Sequence, residues 1–278
     1  MQKKSYTYDD FGLNSLVVHH IHTNGLTMPL RHLHRQYEFL FVKQGSVKVE
    51  SNAATLVIDS PTLIVHKPFS LHRANAPEDA LYERYVINIS EELLCKIRDL
   101  IPLFSFFSSS GTTLIPLKGE ILDEVFDRLD SIYHHHKAER TQRALLEIAI
   151  LFLSVTEYAA ESGIHVPQSD GYIGEVIKYI SNHYADDIKI DFLADYFFVS
   201  RSKLISDFKK SIGIPLKKYT MFVRISNAQT FLNAGKTISE TAALCGFYDN
   251  SHFISTFRQL TGKTPKEFCK LTQQKHPL

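Results

Sequence analysis

A pattern that occurs twice in the last third of the chain constrains the fold more than any other feature. Ile190-Asp191-Phe192-Leu193-Ala194, then Phe198-Val199, Leu204, Phe208 and Gly213, aligns with Ile238-Ser239-Glu240-Thr241-Ala242, then Gly246-Phe247 and, after one extra turn residue, Phe253, Phe257 and Gly262. Each copy reads as a short helix with a small alanine, a tight turn, and a second helix with apolar residues at i and i+4. A helix-turn-helix needs this arrangement: the alanine lets the helices cross closely, and the apolar pair seats the second helix with its polar face outward. One copy is a common way to pack two helices; two copies joined by one long helix are far more specific. The joining stretch, Pro215 to Ala234, would be about 30 Å long at 1.5 Å per residue, close to the roughly 34 Å between successive major-groove faces of B-DNA.

The rest of that third is helical as well, predicted over Tyr172 to Tyr184, Asp191 to Phe197, Ser200 to Ile212, Thr237 to Cys245, Asn250 to Thr261 and Pro265 to Leu271. Gly213, Gly235, Gly246 and Gly262 punctuate it as helix stops, while Pro215 and Pro265 stand where first turns begin. Gly246-Phe247-Tyr248-Asp249-Asn250-Ser251-His252-Phe253, followed by Phe257-Arg258, Gly262-Lys263-Thr264-Pro265 and Phe268, closely resembles the signature of the AraC/XylS family of bacterial transcription regulators. The resemblance covers Gly171 to Leu271. It implies a two-motif domain that binds double-stranded promoter DNA, usually as a homodimer and in contact with RNA polymerase.

Three positions depart from the family pattern. Glycine is usual where Phe198 stands, and a non-glycine residue at positive φ costs about 1 kcal/mol, so the first turn is expected to differ in shape from the second. Arginine is frequent where this chain has Ser206 and Ser255, so charge available for phosphates is reduced. Carried onto this sequence, the reading positions are Arg201, Ser202, Lys203 and Ser206 in the first copy and Asn250, Ser251, His252 and Ser255 in the second. Arginine pairs with guanine and asparagine with adenine in the major groove, which makes Arg201 and Asn250 the sharpest base-reading candidates. Lys209, Lys210, Arg258 and Lys263 are candidate phosphate contacts.

The front of the chain has another texture. Short β-type runs (16–18, 38–42, 47–49, 56–58, 63–65 and 85–89) are separated by turn residues, as in a small antiparallel barrel. A short helix opens at Ser90-Glu91-Glu92, Phe104 to Gly111 reads as a loop, and apolar residues then recur at helical spacing from Leu117 to Ile132 and from Thr141 to Glu161. The fold expected is therefore multidomain: an all-β cupin-like sensor barrel over 1–113, a helical hairpin over 114–162, a linker over 163–171, and an all-α domain with two helix-turn-helix motifs over 172–278. A hairpin with more apolar surface than one small barrel can cover is a candidate dimer face.

His32-x-His34-x3-Glu38-x6-Gly45, then Pro68 and His72, closely follows the two cupin motifs, although Asp59 replaces a usual glycine and His72 falls one residue early. Strand alternation puts His32 and His34 on one face, and Glu38 and His72 could complete a three-histidine, one-carboxylate donor set. In the regulator family the barrel usually takes its effector without a metal, so no cofactor is expected. A small polar effector, a sugar first, would then meet Arg31, His32, His34, Glu38, His72, Arg73 and Tyr85. The alternative is a divalent ion on His32, His34, Glu38 and His72, and with it a metal-dependent cupin enzyme for which DNA binding is secondary. No Walker A loop, GxSxG elbow or HExxH stands in the sequence, and no enzyme activity is expected.

Charge divides along the same boundary. The net +1 is a cancellation: residues 1–171 carry 16 Lys+Arg against 21 Asp+Glu, or −5, and residues 172–278 carry 15 against 9, or +6. Only the back of the chain is suited to a polyanion. A charge of +6 is modest, so binding by one copy should be weak and salt-dependent, and a dimer or repeated half-sites should be needed. Three cysteines without a CxxC and a front end without a secretory h-region point to a reducing cytoplasm. The most apolar stretch, Ala144 to Ala160, is interrupted by Glu147 and Glu157, so no membrane partner is expected.

Overall fold

A computed structural model describes residues 15–59, 61–98, 112–164 and 171–275. Seven strands, β1 (Leu16–Leu26), β2 (Tyr37–Gln44), β3 (Val47–Ser51), β4 (Ala54–Ile58), β5 (Thr62–His66), β6 (His72–Ile89) and β7 (Thr112–Pro116), form an antiparallel sheet in the order β4-β3-β6-β2-β5-β7, with β1 also paired to β6. The 18-residue β6 is the spine. Its first residues pair with β3, and both β1 and β2 run along its second half.

Alternation gives the sheet two apolar faces. Leu40, Val42, Ile64, Tyr82 and Val86 fill the barrel interior, while Phe39, Phe41, Leu63, Val65, Tyr85 and Ile87 face outward onto helices. After α1 (Glu91–Arg98), α2 (Ile121–Lys137) and α3 (Thr141–Glu161) cover that outer face with Val125, Leu129 and Ile132 and with Ile148, Phe152 and Val155. The hairpin therefore does cap the barrel, yet Leu146, Ile150 and Leu153 of α3 stay 61, 45 and 37% exposed. The expected break between residues 113 and 114 falls inside β7, which is hydrogen-bonded to β5 and belongs to the sheet. Phe104 to Gly111 lies outside the described residues.

The second domain holds α4 (Gly171–Asn182), α5 (Ile190–Tyr196), α6 (Arg201–Ile212), α7 (Leu216–Asn233), α8 (Ile238–Leu244), α9 (Asn250–Thr261) and α10 (Pro265–Lys275). Local chemistry sets the ends. The Ser200 and Asp249 side chains accept from the backbone N–H groups of Lys203 and His252, Thr237 and Glu240 form a capping box, and Gly213 and Gly262 close α6 and α9 in the left-handed conformation. The repeat becomes two cores on one spacer: Leu193, Leu204 and Phe208 pack on the first half of α7, and Ala242, Phe253 and Phe257 on the second.

The expected difference between the two turns is not found. Phe198 takes φ 55° beside φ 72° at Gly246, so the first turn keeps the glycine geometry with a side chain that is 95% exposed. The strain is retained because Val199 N–H still closes the turn onto the Ala194 carbonyl, as Phe247 does onto Ala242.

Candidate functional site

The polar faces of α6 and α9 are open to solvent. Arg201, Ser202, Lys203 and Ser206 are exposed on α6, and Asn250, Ser251, His252 and Ser255 on α9, while Leu204, Phe208, Phe253 and Phe257 hold the opposite faces in the core. Arg201 Nη1 donates to both carboxylate oxygens of Asp191 at 2.6 Å, and Asn250 Nδ2 donates to Ser239 Oγ at 2.8 Å. Both pairs are exposed, so these contacts are worth about 1 kcal/mol or less and can be exchanged for a base edge. Lys203 is tied to Asp207, whose carboxyl is held below its usual range first by that ammonium and then by the Tyr172 hydroxyl. Lys209, Lys210 and Arg258 are exposed and Lys263 is half-buried. Ser251, Ser255 and Arg258, with Ile254, Gln259 and Thr264, line a shallow groove along α9.

A second constellation lies in the barrel. His32, His34, Glu38 and His72 are all buried, and one donor atom from each lies within 4.8 Å of the others. Glu38 enters from β2, and His72 from the start of β6. His32 is fixed by a reciprocal backbone bridge to His72, with N···O distances of 2.9 and 2.8 Å. Glu38 Oε2 lies 3.3 Å from His34 Nε2 and accepts from Asn88 Nδ2 at 3.3 Å, and its Oε1 lies 3.5 Å from His72 Nε2. Burial alone would push the Glu38 carboxyl up; the imidazoles of His72 and His34 outweigh it and hold the group well below the usual carboxylate range. Burial, reinforced by His72, drives His32 and His66 well below the ordinary imidazole value.

Three of the residues expected here are elsewhere. Arg31 bonds the Asn52 and Leu71 carbonyls and Arg73 pairs with Glu50, both at the rim beside β3. Tyr85 points through the opposite face of the sheet, where it stacks on His20 and donates to Asp130 of α2. Inward positions on β6 are Tyr82, Arg84, Val86 and Asn88, so an odd-numbered Tyr85 has the wrong parity. Two residues were missed. His66 and Asn88 sit directly across from Glu38 on β5 and β6, and His66 stacks on His72 at 4.0 Å while bonding Thr112 of β7. The signal for Asn88 is the alternation along β6; that for His66 exists only in the β2–β5 register.

His32 and His34 lie not on a strand, as alternation predicts, but on the segment that joins β1 to β2, and this segment also reaches the second domain. His32 and His34 point into the barrel, and between and beyond them Leu33 inserts into the core of the first helix-turn-helix and Arg35 Nη1 donates to Asn227 Oδ1 of α7 at 3.0 Å. Phe69 packs on the same core, its carbonyl accepting from Tyr219 and its N–H donating to the His34 carbonyl. Between the domains a cleft of about 390 Å³ is lined by His34, Arg35, Gln36, Phe69, Glu91 and Glu92 from one side and by Asn182, Ser226, Gln229 and Asn233 from the other. His34 thus borders both the cleft and the buried cluster.

A sensor barrel joined to two exposed helix-turn-helix faces is the make-up of a ligand-responsive DNA-binding regulator. Comparison with known proteins agrees in both halves: residues 14–151 match the AraC-like ligand binding domain, and residues 193–270 match a helix-turn-helix domain. This chain belongs to the AraC family of transcription regulators. It is 38% identical over 96 residues to an uncharacterised HTH-type transcriptional regulator of Pseudoalteromonas carrageenovora, over 34% of this chain and 57% of that one. It is 26% identical over 105 residues to the melibiose operon regulatory protein of Escherichia coli K12, over 37% of this chain and 35% of that one. The chain therefore covers less than two thirds of either relative's length. The fold is that of unsaturated fatty acid bound ToxT from Vibrio cholerae, with a TM-score of 0.58 at 15% identity over 93% of this chain and 96% of that one. Among the described residues no helix is long and apolar enough to cross a membrane.

Proposed function

We propose that this regulator binds promoter DNA as a homodimer through α6 and α9, and that a small polar molecule in the interdomain cleft biases how the two domains are held. The observation that carries this reading is the double duty of Arg35 and Phe69, which line the cleft and are anchored in the DNA-binding domain, with Leu33 beside them in its core. A ligand there touches both domains, and so has differential affinity for arrangements that open or close the cleft, which is what coupling requires. The hydroxyl, amide and carboxylate side chains of the cleft, with Phe69 as an apolar platform, favour a sugar or sugar derivative. The melibiose operon regulator is a relative whose name points the same way. No catalytic role is assigned to any residue in this reading.

Selection of binding sites from random DNA by the full-length chain tests the DNA half. Arg201→Ala and Asn250→Ala should each weaken the selected site by about 5- to 150-fold, corresponding to roughly 1–3 kcal/mol per base pair read, and relax preference at one position. Unchanged affinity and unchanged base preference in both variants would remove these residues as readers. For the cleft, a thermal-shift screen of sugars should find a ligand whose shift is lost in Asn233→Ala or Gln229→Ala. Shifts that survive both changes would place the effector elsewhere.

A further inference from the structure

The buried histidine cluster is arranged so that acceptors face one another. A carbonyl oxygen can only accept, so His34 Nδ1, 2.8 Å from the Gln36 carbonyl, and His72 Nδ1, 2.9 Å from the Ser70 carbonyl, must each carry a hydrogen. That leaves Nε2 of both rings turned toward Glu38, at 3.3 and 3.5 Å from its two oxygens. In a neutral imidazole with hydrogen on Nδ1, Nε2 is a lone pair. In that tautomer two lone pairs meet a buried carboxylate, so positive charge must stand among the three groups, and buried charges are paired or coordinate metals.

We propose that His32, His34, Glu38 and His72 hold one divalent first-row transition-metal ion inside the barrel. Donors bound to one tetrahedral ion by bonds of about 2.1 Å stand about 3.4 Å apart, which is the spacing of the two Nε2–carboxylate pairs. His32 brings the third ring, centred 4.3 Å from that of His72. Imidazole and carboxylate donors suit zinc, manganese, iron and nickel rather than calcium or magnesium. The surroundings have the form that orients metal ligands: backbone carbonyls receive the far N–H of His34 and His72, and Asn88 holds one Glu38 oxygen.

The test uses the full-length chain without a polyhistidine tag, stripped with chelator and dialysed against Zn²⁺, Mn²⁺, Ni²⁺ or Co²⁺ in turn. One ion per chain by elemental analysis is expected, with a rise in Tm that chelator reverses and, for Co²⁺, visible d–d absorption. Glu38→Gln and His72→Gln should lower affinity by at least about tenfold, as loss of a ligand exceeds the loss of its outer partners. The exposed and half-buried run His134-His135-His136 is the control, and replacing all three by alanine should leave the ion in place. Where a cluster variant fails to fold, the wild-type chain decides. Absence of a stoichiometric ion with every metal, or loss of the ion in the His134–His136 variant alone, overturns the site.

Discussion

Gly246→Ala is expected to destabilise the DNA-binding domain by at least about 3 kcal/mol. A side chain at φ 72° costs roughly 1–2 kcal/mol by itself. The added Cβ would also stand 2.3 Å from the Ala185 carbonyl oxygen and under 3 Å from that residue's carbonyl carbon and Cα, so backbone, not a flexible side chain, must give way. It cannot do so freely. Arg224 of α7 donates to the carbonyls of Gly246, Tyr184 and Asp186 at 2.7, 2.7 and 2.9 Å and clamps the second turn to the α4–α5 connection. Hydrogen bonds to a charged group are worth about 1.5–3 kcal/mol each, so separating these segments loses more than it relieves. With about 4–8 °C per kcal/mol for a domain of this size, Tm should fall by on the order of 15 °C in a calorimetric scan, and sequence-selective binding with it. Phe198→Gly is the counterpart of opposite sign. The exposed ring contributes little burial and the backbone is already left-handed, so glycine should stabilise by about 1 kcal/mol. Equal melting of Gly246→Ala and wild type would show that the turn can shift without disturbing the clamp.

The helical repeat was legible because its determinants are local. Ala194 and Ala242 are buried at helix crossings, the spacing of Leu204 and Phe208 or Phe253 and Phe257 is set by the helix itself, and the bounds of α3 coincide with its apolar period. The first half of β6 was not. His72-Arg73-Ala74-Asn75-Ala76-Pro77 has little intrinsic strand preference and is extended because β3 and β1 supply its partners, a tertiary effect. The histidine site divides along the same line. His32, His34 and Glu38 lie close in sequence, and His72 follows a recognisable motif, whereas His66 joins only because β5 lies in register with β2. Tyr85 was misplaced by the unknown phase of β6, since a one-residue change of phase reverses every side chain on a strand. The cleft depends on docking of two domains through Leu33, Arg35 and Phe69, and neighbouring residues in the sequence give no sign that alternate positions serve different domains.

In the proposed homodimer, Ile150→Glu, or Leu146→Glu with it, should separate the two copies and weaken binding to a paired half-site by two orders of magnitude or more. Leu146, Ile150 and Leu153 follow the i, i+4, i+7 spacing of a helix seam on a helix whose other apolar face is already committed to the barrel. The same stripe on a second copy, related by a two-fold axis, would cover it. Because the stripe is exposed in the single chain, glutamate there leaves the fold intact while placing charge in the seam; unchanged circular dichroism and Tm of the diluted protein would verify that. The large effect on DNA follows from linkage. The +6 of residues 172–278 gives one copy limited electrostatic hold, and joining two copies makes the second half-site encounter intramolecular, a gain of about 10²–10⁴ in affinity. Sedimentation should therefore show the loss of dimer at the same protein concentrations at which binding to two half-sites collapses, while affinity for a single half-site stays as in wild type. A variant that remains dimeric, or one that becomes monomeric yet holds paired sites as tightly as before, would break the connection between the α3 stripe and DNA binding.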